Sequence, residues 1–91
     1  MKIAKDAFDQ ALAKLIRDGG KAMDDVSLRV YIAAGLVLQH RLKIPEDKPW
    51  RPTDQEVIDL CGKADRRQRK LLKEIAEGLV QDEIAAHPTP Q

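Results

Sequence analysis

Apolar residues recur at three- and four-residue spacing from Ala4 through Phe8, Ala11, Leu12, Leu15 and Ile16, the pattern of one buried helix face. On the opposite face Lys2 and Asp6, Lys5 and Asp9, and Lys14 and Asp18 stand four apart, as helix-surface ion pairs do. The pattern predicts a helix over 2–18, stopped by Gly19-Gly20 because glycine accepts the backbone of a helix end. A second helix is expected from a cap at Asp24 or Asp25 to about Leu42, ahead of Lys43-Ile44-Pro45. Its centre, Val30 to Leu38, is apolar around most of its circumference. Val, Ile and Tyr favour strands, but the segment's length and its Ala-Ala-Gly centre favour a helix.

A helix apolar on nearly all sides must be covered by the rest of the chain or by a second subunit. With three other helices available, homodimerisation through the Val30–Leu38 helix is one expectation. In such a dimer Gly35 lets a neighbouring backbone approach; otherwise it is a mildly unfavourable interior glycine.

Pro45 to Pro52 reads as a connector stiffened by three prolines. It carries the only tryptophan, Trp50, which either anchors a partner or folds back over the chain's own core. Thr53-Asp54-Gln55-Glu56 is a capping box that opens a helix stopping near Gly62. Asp65, with Gln68 three residues on, caps the last helix. There Leu71, Leu72, Ile75, Ala76, Leu79, Val80 and Ile84 form a continuous apolar stripe, which Gly78 loosens. The expected fold is all-α: four helices in one domain over 1–87, its C-terminal half helix-turn-helix-like, with a flexible tail over 88–91.

Charge changes the picture. The 91 residues carry 16 Lys and Arg against 15 Asp and Glu, a near balance that excludes a histone-like polycation or an acidic disordered tail. The balance is not local: residues 63–75 carry a net +4 and residues 76–91 a net −3. The cations at the start of the last helix are Lys63, Arg66, Arg67, Arg69, Lys70 and Lys73.

A short capped helix, a glycine turn and a basic second helix resemble the helix-turn-helix motif over 53–75. Val57 falls on its first apolar position, Gly62 on its turn glycine and Leu71 on its later core position. Ile58, Lys63 and Gln68 depart from the usual pattern. The resemblance implies that the second helix enters the major groove by its N-terminal residues. Arg66, Arg67, Arg69 and Lys70 would then meet bases and phosphates, with Lys63 and Lys73 on phosphates. A second reading gives the same face to an acidic protein surface, as in the small helical inhibitors or adaptors that phages and plasmids encode. A third leaves it solvated, with Lys73 paired to Glu77.

Little in the chain points to catalysis. His40 and His87 lie far apart and in no metal-ligand spacing, and no glycine-rich phosphate loop follows a strand. The lone Cys61 reads as a small buried hydrophobe. The aromatics are one Phe, one Tyr and one Trp, too few for a single-strand stacking platform. No cofactor and no metal is expected. The longest apolar run, residues 30–38, is well short of the roughly 20 residues of a membrane span. The expectation is a cytoplasmic, non-enzymatic regulatory protein whose partner is duplex DNA or an acidic protein surface.

Overall fold

The computed structural model describes residues 1–19, 21 and 24–85. Its regular elements are all helical: α1 (Lys5–Asp18), α2 (Asp25–Arg41), α3 (Asp54–Lys63), α4 (Arg66–Gly78) and α5 (Gln81–Ala85). The tail expected at 88–91 lies outside the described residues.

α1 ends where its sequence says. Gly19 takes φ 63°, a value that favours glycine, and its N–H donates to the Leu15 carbonyl at 2.9 Å. Lys14 pairs with Asp24 at 3.3 Å rather than with Asp18, which pairs with Arg17 at 3.0 Å. Lys2 precedes the helix.

α2 is the hub. Asp24 caps it, accepting from the Ser27 N–H at 2.8 Å, and that bond holds the Asp24 carboxyl below its usual range. At the far end the Lys43 N–H donates to the His40 carbonyl at 3.2 Å and the Ile44 N–H to the Gln39 carbonyl at 3.1 Å. This is a Schellman closure with Lys43 in the left-handed region at φ 56°. α1, α3, α4 and α5 all pack on α2, which buries Val30, Ile32, Ala33 and Ala34. The chain's own helices thus cover part of the surface that suggested a dimer through Val30–Leu38, while Leu36 stays exposed. Gly35 also faces its own chain: a β-carbon built there lies 3.4 Å from Pro52 Cγ. The connector crosses α2 at its one residue without a side chain.

The last helix does not run unbroken to Ile84. It stops at Gly78, Leu79 is extended at φ −68°, ψ 136°, and a short α5 follows. The helix ends on a glycine, and Arg29, 50 residues away and 4% exposed, reaches the break. Its Nη1 donates to the Leu79 carbonyl at 3.0 Å and its Nε to Asp25 at 3.1 Å. A buried guanidinium must find acceptors, and a helical Leu79 would give its carbonyl to the helix ladder. The break frees that carbonyl and keeps the Leu79 side chain buried with Leu28 and Ile32.

Candidate functional site

The candidate site begins at the junction of α3 and α4. Thr53 and Glu56 form the expected capping box: the Glu56 N–H donates to Thr53 Oγ1 at 3.2 Å and the Thr53 N–H to Glu56 Oε1 at 2.9 Å. Val57 is buried, at 1% exposed. α3 continues through Gly62 to Lys63, so Gly62 is helical and does not form the turn. The turn is Ala64-Asp65, both extended. Asp65 then accepts from the Gln68 N–H at 2.8 Å, and its own N–H donates to Gln68 Oε1 at 3.2 Å.

α4 rests on α2 through Leu72 and Ala76, while α3 packs mainly on α1 and also on α2. Leu71, which the helix-turn-helix resemblance places in the core, is instead 47% exposed. The anchor is its neighbour Leu72, at 1%. A step of one residue turns the side chain by about 100°. α4 thus turns Leu72, and not Leu71, to the core.

A groove of about 1050 Å³ runs between α1 and the start of α4. Lys5, Phe8 and Asp9 line it from α1; Arg66, Arg67, Arg69, Lys70 and Lys73 line it from α4. Phe8 and Ala64, both buried, supply its apolar lining. Arg66, Arg67, Arg69 and Lys70 are exposed and Lys73 is half-buried. Among the described residues none of these five cations forms an ion pair. The expected Lys73–Glu77 pair is displaced because the Ile3 N–H donates to Glu77 Oε2 at 2.8 Å. That bond, with Lys73 and Lys2 adding at longer range, holds the Glu77 carboxyl below its usual range.

Five of the six cations picked out in the sequence come together here. Lys63 stands apart, in a separate cleft with Arg41, Glu56 and Asp59. Lys5 joins the groove although its spacing marked it only as a surface partner of Asp9; no local signal reveals which distant helix it faces. Trp50 is half-buried on the connector and is not among the residues lining the groove.

The local electrostatics are unfavourable to folding. A helix N-terminus carries a partial positive charge that favours carboxylates. The first turn of α4 contains none and begins Arg66-Arg67. Capping by Asp65 and Gln68 offsets part of that repulsion.

Other groups offer less chemistry. Burial raises the Cys61 thiol to about 11, which leaves it a poor nucleophile at neutral pH. Burial and the bond to Asp54, 3.0 Å away, push the Tyr31 hydroxyl up to about 12. Among the described residues no group of three or more His, Cys, Asp and Glu could hold a metal ion. No helix there is long and apolar enough to cross a membrane. Comparison with protein-family models, with curated proteins and with solved structures finds no match to this chain.

Proposed function

We propose that this is a non-enzymatic regulatory protein that binds duplex DNA through the front of α4. One observation carries the reading: six cationic side chains, five of them on α4, line one groove beside two carboxylates, Asp9 and Asp65, and none of the six forms an ion pair among the described residues. Such a cluster attracts a polyanion because each phosphate contact releases condensed counterions. The distribution along α4 fits an end-on approach. Its first two turns carry Arg66, Arg67, Arg69 and Lys70, whereas Glu74 and Glu77 occupy its later part. Arg66, Arg69, Lys70 and Lys73 meet the backbone, and Lys5 extends the cationic wall from α1.

The test is duplex affinity against salt. About four phosphate contacts make log K fall by about 3.6 per tenfold rise in salt. Arg66→Glu with Arg69→Glu should remove most of the affinity and the slope while the helical signal is kept. Unchanged duplex affinity overturns the reading.

A second reading, an acidic protein partner, is favoured by the apolar groups among the cations. Buried Phe8 and Ala64 line the groove, and exposed Leu71 stands beside Arg67 and Lys70. Capture of one dominant protein, insensitive to nuclease, supports it; capture that disappears with nuclease returns the case to DNA.

A further inference from the structure

α1 differs from the other long helices in how it begins. Asp24, Thr53 and Asp65 cap α2, α3 and α4 with their side chains, whereas Ala4, at the same position of α1, makes no side-chain cap. An uncapped first turn leaves N–H groups without protein partners and frays more readily. What holds α1 instead comes from α4: the N–H of Ile3, the residue before Ala4, donates to Glu77 Oε2 at 2.8 Å. Ile3 is 3% exposed and shares one buried cluster with Phe8, Leu72 and Ala76. An apolar residue just before the cap position and another at the fourth helical position are the two ends of a hydrophobic staple, which fixes how the chain enters a helix. Ile3 and Phe8 stand at those two positions.

The same first turn is one wall of the cationic groove. Lys5, Phe8 and Asp9 line it from α1, and Lys73, the last cation of the opposite wall, stands one turn before Glu77. α1 packs chiefly on α2 and α3, so the bond from Ile3 to Glu77 is a direct link from its start to α4.

We infer that Glu77 is a positioning residue for this groove: by accepting from Ile3 it stands in for the cap that α1 lacks and holds Lys5 opposite the cations of α4. That role accounts for a carboxylate one turn beyond Lys73 that forms no ion pair with it. The effect on duplex affinity rests on the DNA reading; the anchoring of α1 does not.

Two variants of the full chain separate the hydrogen bond from the charge. Glu77→Gln and Glu77→Ala both remove the negative charge, but only glutamine keeps an oxygen that can accept from Ile3. In hydrogen exchange followed by NMR, the Ile3 and Phe8 amides should exchange roughly 3- to 10-fold faster in Glu77→Ala than in Glu77→Gln, the value of one such bond. The Val57 amide is the internal control: it donates to the cap residue Thr53 as Phe8 does to Ala4, and it should not differ. Duplex affinity against salt should show a slope shallower by about 0.9 in Glu77→Ala than in Glu77→Gln, the share of one phosphate contact. Lys5→Ala should lower the slope by that amount when added to Glu77→Gln and by nothing when added to Glu77→Ala. Equal effects of Lys5→Ala in the two backgrounds overturn the inference, as do Ile3 and Phe8 amides that exchange alike in both variants. A wild-type chain without affinity for duplex overturns the DNA reading, and the exchange rates then decide the anchoring of α1 by themselves.

Discussion

α3 and α4 begin alike and differ in one respect. Each opens with a complete capping box, Thr53 with Glu56 and Asp65 with Gln68. Each then buries an anchor close behind, Val57 in α3 and Leu72 in α4. The first turn of α3 adds Asp54 and Glu56, which suit the positive end of the helix dipole, whereas the first turn of α4 adds Arg66 and Arg67. α1 and α2 also have an acidic residue in their first turn. The comparison separates what folds a helix from what the helix presents. Caps and anchors are common to both starts; the cations of α4 work against its stability at the positive end of its dipole.

The comparison can be broken most severely at the anchors. Leu72→Ala should destabilise the protein by about 2–5 kcal/mol in urea unfolding. A loss below about 1 kcal/mol would mean that α4 is not held as α3 is. The caps come next. Thr53→Ala and Asp65→Ala should each lose about 1 kcal/mol, and unequal losses would show that the two starts differ in more than charge. Gly62→Ala tests whether α3 runs through its glycine: helical Gly62 predicts a gain of roughly 0.5–1 kcal/mol in thermal unfolding. A loss would restore Gly62 to a left-handed turn. The smallest effect is the sharpest. Arg66→Glu should raise stability by about 0.3–1 kcal/mol at low ionic strength, shrinking as salt is added.

The parts of the fold legible in the sequence are those fixed by near neighbours. Gly19 stops α1, and Thr53, Glu56, Asp65 and Gln68 announce two helix starts, because caps act within three or four residues. The all-helical class follows from periodicity in the same way. At the break after α4 the loosening Gly78 could be read, but the contact there was not legible, because the guanidinium that takes the Leu79 carbonyl belongs to Arg29, on another helix. The choice between Leu71 and Leu72 as anchor was hidden for a related reason. Both fit an apolar stripe, and only the position of α2 decides between them. At the site, the cations of α4 could be read from local charge, but Lys5 reaches the groove through tertiary packing. Lys63 is carried away from it because α3 runs to residue 63 and the chain turns after it.

The central claim is that the cations at the front of α4 oppose folding and serve a polyanion. One double variant, Arg66→Glu with Arg69→Glu, measured for both thermal stability and affinity for a random duplex, tests both halves at once. The account predicts a melting temperature at or above that of the wild type and a loss of most duplex affinity together with its salt dependence. A variant that binds duplex as the wild type does, or that loses its fold, would contradict it.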